Sequence, residues 1–295
     1  MEYICYDCPR QCGVLRNDDS PAGFCRSYAS PCVVRAAPHF GEEPCISGSH
    51  GSGTIFFSGC SLGCVYCQNH LISRSASGRM LSPSQLREVI LRLADTGVHN
   101  ISFVTASHHV RTVCETLSGM CLKIPVVWNS SGYECVETLQ MLEGLVQIYL
   151  PDLKYLRLEP AKKYSSAPDY PTAVKRAIRE MFRQTGNYVM DNNGILQRGV
   201  LIRHLILPGQ EQNTMDCIDF VAETFPAGSV LFSLMSQYTP PGSLKGYPEL
   251  ENPIGVELSE WMNDYMLRQG IRNGYWQEPS SATEELLPAF DGTGV

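Results

Sequence analysis

The stretch Cys60-Ser61-Leu62-Gly63-Cys64-Val65-Tyr66-Cys67 decides the fold of this 295-residue chain. It places three cysteines in a C-x3-C-x2-C pattern directly after residues 54–57, an apolar run typical of a buried strand. Three thiolates on one short loop can bind three irons of a cubane cluster and leave the fourth iron without a protein ligand. Zinc prefers paired C-x2-C units with four ligands in total. We therefore predict an open 4Fe–4S cluster on Cys60, Cys64 and Cys67, rather than zinc or three incidental cysteines.

The composition limits where the chain works and what it binds. The net charge is −7, with 23 basic and 30 acidic side chains, so phosphate backbones and anionic lipids are not attracted in general. The first 16 residues lack the apolar core of a signal peptide, and no run reaches the ~18 apolar residues of a spanning helix. We expect a soluble cytoplasmic protein with no nucleic-acid and no membrane partner. In that compartment 13 cysteines indicate metal binding or catalytic thiols.

From about residue 53 onward, apolar strand patterns alternate with helical ones. Continuous apolar strands between helices predict a parallel sheet covered by helices. No Gly-x-Gly-x-x-Gly turn follows the first strand, which disfavours a dinucleotide-binding sheet. The sequence thus predicts an α/β fold, a partial (β/α)6 barrel over residues 51–295, preceded by a small cysteine-rich, metal-binding segment over residues 1–50. The predicted strands are residues 54–57, 101–105, 125–128, 146–150, 200–207 and 230–234.

The N-terminal segment carries a second group of cysteines. Cys5, Cys8, Cys12 and Cys25 follow a C-x2-C-x3-C-x12-C pattern, which supplies four thiols within 21 residues. Four ligands make a closed site, and both a structural zinc ion and an auxiliary iron–sulfur cluster fit it. Unmetallated thiols are the third alternative. We predict a second metal site here and leave the metal open.

The C-x3-C-x2-C motif after a first strand resembles the signature of the radical S-adenosylmethionine (SAM) superfamily. Within it, the chain is similar to PflX-like relatives of the pyruvate formate-lyase activating enzyme. The supporting stretches are Cys8-Pro9-Arg10-Gln11-Cys12-Gly13-Val14, His39-Phe40-Gly41-Glu42-Glu43-Pro44, residues 51–60, Tyr149-Leu150-Pro151-Asp152-Leu153-Lys154-Tyr155 and residues 275–282. The resemblance implies that SAM binds the open iron and is cleaved by one electron to methionine and a 5′-deoxyadenosyl radical. That radical then abstracts a hydrogen atom from the substrate.

Polar residues near the ends of the predicted strands are candidates for SAM binding, because sites in parallel barrels lie at the carboxyl ends of the strands. Tyr66 matches an aromatic residue that superfamily members often have near the adenine. Thr105 and His108 stand where members often carry Gly-Gly-Glu for the SAM amino group. Asn129 and Ser130 resemble the start of the Asp-Thr-Asn-Gly run of the activating enzymes.

Three further stretches complete the candidate site. Asp152 and Lys154 match the Asp-Leu-Lys of the activating enzymes. Arg203 matches an arginine that reaches the SAM carboxylate. Since it lies in an apolar run, it needs an acidic partner, and a structural acid would serve as well as SAM. Gln237 follows the sixth strand and is the last candidate.

The resemblance implies a radical SAM oxidoreductase whose substrate stays open. One hypothesis is activation of a glycyl radical enzyme, and the alternative is modification of a peptide or small molecule. A flavodoxin- or ferredoxin-type protein is the expected electron donor. A non-catalytic electron carrier is disfavoured, because a carrier needs a fourth cysteine to close its cluster and no barrel of this size.

Overall fold

A computed structural model describes residues 2–242, 244–278 and 288–295 of the chain. The strands in these ranges are β1 (Tyr3–Cys5), β2 (Val14–Arg16), β3 (Cys32–His39), β4 (Ser52–Phe57), β5 (Arg79–Met80), β6 (Ile101–Val104), β7 (Val126–Ser130), β8 (Ile148–Pro151), β9 (Val189–Met190), β10 (Leu196–Leu205), β11 (Leu231–Met235) and β12 (Gly274–Gln277). The α-helices are α1 (Pro44–Ser47), α2 (His70–Ser73), α3 (Pro83–Asp95), α4 (Val110–Leu117), α5 (Val136–Gln140), α6 (Leu158–Ser165), α7 (Tyr170–Thr185), α8 (Glu211–Thr224) and α9 (Val256–Arg268).

The main sheet is mostly parallel. Its order is β12-β11-β10-β8-β7-β6-β4-β3-β5, and β9 pairs with β10. Every neighbouring pair from β4 to β12 along this path is parallel, whereas β3 runs antiparallel to both β4 and β5. In the described residues the two ends of the path do not pair, so the sheet is an open, partial barrel. The predicted α/β fold class is confirmed.

The central parallel strands are buried along their whole length, because helices cover the sheet. All residues of β4, β6, β7 and β8 are buried. The helix α3 forms as the sequence predicts: the Ser82 hydroxyl accepts a hydrogen bond from the Gln85 backbone N–H, and the Gln85 side-chain oxygen accepts one from the Ser82 backbone N–H. Among the described residues, no helix is long and apolar enough to cross a membrane.

Three elements differ from the sequence pattern. β12 adds a seventh parallel strand from the motif at 275–282, whose Pro279–Ala282 part lies outside the described residues. Helix α6 is not predicted by the sequence pattern, because its eight residues are too few to show a long apolar stripe. β3 lies within residues 1–50 yet pairs with β4 from Val33 to His39. β3 therefore belongs to the main sheet, in which it buries most of its length.

Candidate active site at the carboxyl ends of the strands

A cavity of about 260 Å³ opens where the parallel strands end. It contains the three cysteines of the C-x3-C-x2-C loop, which follows β4. It also brings together most of the other predicted SAM-binding residues. The predicted residues that line it are Cys60, Cys64, Cys67, Tyr66, Thr105, Asn129, Asp152, Lys154 and Arg203. A second cavity of about 350 Å³ lies at the opposite, amino ends of β7 and β10 and contains none of them.

The cysteine loop is held by backbone geometry and by two arginines. Gly59 has φ +82°, and a Cβ there would stand 2.5 Å from the backbone oxygen of Cys25. Only glycine fits at this position, directly before the first cysteine. The guanidinium of Arg10 donates to the carbonyls of Ser61 (3.0 Å) and Leu62 (3.2 Å), and Arg74 donates to the carbonyl of Gly63. These contacts therefore hold the loop through its backbone carbonyls.

A chain of hydrogen-bonded hydroxyl groups ends at the sulfur of Cys64, the second cysteine of the loop. Ser165, at the end of α6, donates to Cys64 Sγ at 3.1 Å. The Tyr155 hydroxyl lies 2.9 Å from Ser165 Oγ and donates to the hydroxyl of Tyr66 at 2.7 Å. Hydrogen bonds to a ligating sulfur tune the potential of an iron–sulfur cluster. Tyr66 is therefore both a wall of the cavity and part of the support of Cys64.

The charged floor of the cavity centres on Arg203, which is 14% exposed. Its Nε donates to Asp152 at 2.9 Å, its Nη1 to Glu42 at 2.8 Å and its Nη2 to Asn129 at 2.7 Å. Asn129 in turn donates to Glu42 at 2.9 Å, and Lys154 donates to Asp152 at 2.7 Å. The acidic partners that a buried arginine needs are thus present within the chain.

The electrostatics of this floor follow from burial and pairing. Burial would raise the pKa of Asp152, but Arg203 and Lys154 outweigh it and hold that pKa below its usual range. For Glu42, burial raises the pKa more than Arg203 lowers it. Burial would lower the pKa of Lys154, yet the Asp152 carboxylate and the Cys64 sulfur raise it. Lys154 therefore presents a permanent positive charge near the cysteine loop.

Three predicted residues lie outside the cavity. Ser130 donates to the buried carboxylate of Glu134 at 3.1 Å. Gln237 donates to Gln277 on β12. His108 is buried in a single 3-10 turn, with its Nε2 2.8 Å from the carbonyl of Ser58. It borders the cavity of the N-terminal cysteines instead.

Glu42 is the main residue of the floor that the sequence did not single out. It precedes α1, far in sequence from Asp152 and Arg203, and in the sequence its stretch is informative only through its resemblance to relatives. Two features of the sequence point to it. An arginine in an apolar run requires a buried acid, and Glu42-Glu43 directly precedes Pro44, a residue typical of the first turn of a helix.

The thiols of the loop fit a cluster better than a single ion. In the described part of the chain, no three His, Cys, Asp or Glu side chains are arranged to hold one metal ion. Ligands of a cubane cluster bind different irons, so they need not converge on one point. Burial and the neighbouring Cys64 raise the pKa of Cys67 to about 12, so iron must displace a proton to bind there.

Comparisons with known proteins agree with this geometry. A family model described as "Radical SAM superfamily" matches residues 54–216. An uncharacterized protein of Methanocaldococcus jannaschii is 31% identical over 273 residues, which cover 87% of this chain and 72% of that protein. Solved structures share the fold. Streptococcus suis SuiB bound to S-adenosylmethionine has a TM-score of 0.52 and 16% identity, and the match covers 78% of this chain and 51% of that one. SuiB bound to its precursor peptide SuiA also gives a TM-score of 0.52, with 15% identity, and the match covers 78% of this chain and 49% of that one. The chain spans about half the length of SuiB, and the family match covers more than half of the chain itself. The protein belongs to the radical SAM superfamily.

Proposed function

We propose that this protein binds a 4Fe–4S cluster through Cys60, Cys64 and Cys67 and uses it with SAM to abstract hydrogen from a substrate. The observation that carries the proposal is the composition of the cavity. Among the described residues it is lined by three cysteines and no fourth, together with charged and amide side chains that suit an amino acid headgroup. When bound, the cluster and SAM supply a one-electron cleavage that yields methionine and a 5′-deoxyadenosyl radical.

The chain's own residues bind and orient SAM. Lys154 faces the cysteine loop with a permanent charge and is the cation that we assign to the SAM carboxylate. Thr105 offers a hydroxyl at a strand end for the amino group or the ribose, beside Asn129, whose amide is already bonded to Arg203 and Glu42. Tyr66, 5% exposed, provides an apolar ring edge for the adenine.

Arg203 has a positioning role in this proposal. Three of its nitrogens already donate to Asp152, Glu42 and Asn129. It therefore holds the carboxylate that fixes Lys154, rather than acting as the principal contact of the SAM carboxylate. His108, Ser130 and Gln237 are bonded to Ser58, Glu134 and Gln277 outside the cavity, so we assign them no direct contact with SAM.

The first candidate substrate is a glycine of a partner enzyme, as in glycyl radical activation. The Asp152-Leu153-Lys154 stretch and the PflX-like motifs support this candidate through resemblance alone. The second candidate is a peptide, supported by the shared fold with SuiB, which was solved with a precursor peptide. Exposed Phe40 and Leu71 lie close in sequence to the cavity residues His39 and Asn69 and give a polypeptide apolar side chains to contact. A flavodoxin- or ferredoxin-type donor completes the proposal.

The proposal is tested by 5′-deoxyadenosine formation. The protein is purified without oxygen, reconstituted with iron and sulfide, reduced with dithionite and incubated with SAM. We expect 5′-deoxyadenosine from the wild type and from Cys121→Ala, an exposed cysteine outside the cavity, and none from Cys64→Ala. If SAM neither is cleaved nor perturbs the electron paramagnetic resonance (EPR) signal of the reduced cluster, the proposal is wrong.

The two substrate candidates require a second measurement. Incubation with a co-purified partner enzyme should give a glycyl radical EPR signal if the first candidate is correct. A mass change in a co-purified peptide, with no such signal, would favour the second. In both cases Cys64→Ala serves as the matched negative control.

A further inference from the structure

The four N-terminal cysteines, Cys5, Cys8, Cys12 and Cys25, come together around one small cavity. The hairpin of β1 and β2 carries Cys5 at the end of β1, and Cys8 and Cys12 lie in its connecting loop. Cys25 approaches from the following segment, and all four thiols line a cavity of about 10 Å³. A Cβ on Gly23 would stand 3.4 Å from Cys12 Sγ and 3.7 Å from Cys25 Sγ. The fold therefore gathers four ligands that the sequence separates.

A buried cation points into this cavity. Arg16 is 1% exposed, and its Nη2 lies 2.7 Å from Cys25 Sγ. Its Nη1 donates to the carbonyl of Tyr28, while its Nε has no hydrogen-bond partner among the described residues. The carboxylate at the cavity edge, Asp7, already makes an ion pair with Arg111 at 2.8 Å. A buried guanidinium without an anion is costly, so the thiols are expected to supply negative charge.

Two neutral groups at the same cavity also lack partners. His108 uses its Nε2 on the carbonyl of Ser58, and its Nδ1 has no partner in the described residues. The same is true of Ser61 Oγ, and both side chains line the cavity. Orphaned buried polar atoms around four thiols indicate that a polar group belongs at the centre.

We infer that Cys5, Cys8, Cys12 and Cys25 hold a second iron–sulfur cluster and that the Arg16 guanidinium compensates its negative charge. A four-thiolate cluster leaves no iron open, so this centre would not bind SAM. The spacing supports iron, because three cysteines on one short segment with a remote fourth are typical of cluster ligation.

The cavity that the four cysteines share with Arg16 and His108 has a volume of about 10 Å³, near the size that admits one water-sized sphere. Zinc holds four sulfurs at about 2.3 Å from one common centre, whereas the ligands of a cubane cluster bind different irons and stand further apart. Zinc is the competing occupant, and the metal content of the reconstituted chain distinguishes the two.

The second centre packs directly against the loop of the first. The Gly59 Cα faces the carbonyl of Cys25, so closely that a Cβ would clash with it. Arg10, between Cys8 and Cys12, donates to the carbonyls of Ser61 and Leu62. Ordering of the N-terminal loop by a cluster therefore also orders the loop that carries Cys60.

The test removes the first cluster and counts what remains. The full chain carrying Cys60→Ala, Cys64→Ala and Cys67→Ala is reconstituted anaerobically with iron and sulfide. We expect about four irons and four sulfides per chain, against about eight of each in the wild type, with EPR of a reduced 4Fe–4S cluster. Because the triple variant lacks the first site, this result is independent of the proposed function. One zinc per chain, or neither metal in a chain with wild-type circular dichroism, would overturn the inference.

Single substitutions in the triple variant locate the cluster. Cys12→Ala changes the exposed ligand and should lower the iron and sulfide content, whereas the matched control Cys121→Ala should leave both unchanged. Arg16→Gln should shift the reduction potential to more negative values, because a nearby positive charge stabilises the reduced cluster. Arg16→Lys keeps the charge and should restore the potential in part. Equal potentials in Arg16→Gln and the parent would refute the role of Arg16, and unchanged iron in Cys12→Ala would refute the site.

Discussion

Replacement of Arg203 by Met should destabilise the protein strongly through the acids that it leaves behind. Met matches the unbranched apolar stem of Arg but carries no charge, so it keeps the packing of the stem and removes the ion pairs. Arg203 is 14% exposed and pairs with Asp152 at 2.9 Å and with Glu42 at 2.8 Å. Lys154 remains beside Asp152 in the variant, so Glu42 loses the most compensation.

The magnitude follows from the cost of an unpaired buried charge. Removal of one partner from a buried ion pair costs about 3–5 kcal/mol in the free energy of unfolding. Protonation of Glu42 limits that cost, since burial already raises its pKa. Glu42→Gln should therefore recover about 1–3 kcal/mol when added to Arg203→Met, while it destabilises the wild type.

The assay is urea unfolding of four proteins at matched cluster content: wild type, Arg203→Met, Glu42→Gln and the double variant. Urea is preferred to guanidinium chloride because a salt would screen the ion pairs. Far-UV circular dichroism and tryptophan fluorescence, to which buried Trp128 contributes, provide two probes. A loss below about 1 kcal/mol in Arg203→Met, or an identical effect of Glu42→Gln in both backgrounds, would refute the reasoning.

Three other predictions concern different parts of the structure. Burial lowers the pKa of His204 to about 4, so its contribution to stability is complete above about pH 6.5 and is lost towards about pH 4. Over that interval wild type should lose about 3 kcal/mol more than His204→Gln in urea titrations; parallel losses would contradict this. Gly59→Ala should cost about 1–3 kcal/mol more than the control Gly97→Ala, because both have positive φ but only Gly59 faces a backbone carbonyl. Equal midpoints for the two glycine variants would argue against that close approach. Ser165→Ala removes the hydrogen bond to Cys64 Sγ and should make the cluster potential more negative in a redox titration, and an unchanged potential would show that the bond does not tune it.

The local pattern of residues was enough to predict the α/β fold and the position of the cysteine loop. Helix and strand periodicities depend on neighbouring residues, and a cap such as Ser82 with Gln85 is complete within four positions. Three cysteines within eight residues of one another must share a loop, whatever surrounds it. These features are short-range, so the sequence alone determines them.

The partners of the charged residues were decided by the tertiary structure. Glu42 and Arg203 are 161 positions apart, and Ser165 and Cys64 are 101 apart. Such pairs depend on which strands become neighbours in the sheet and on which helix packs beside the loop. The periodicity of the sequence does not predict either. The sequence predicted that Arg203 needs a buried acid, because the cost of an unpaired charge is general. Only the packing of the strands determined that Asp152 and Glu42 supply it.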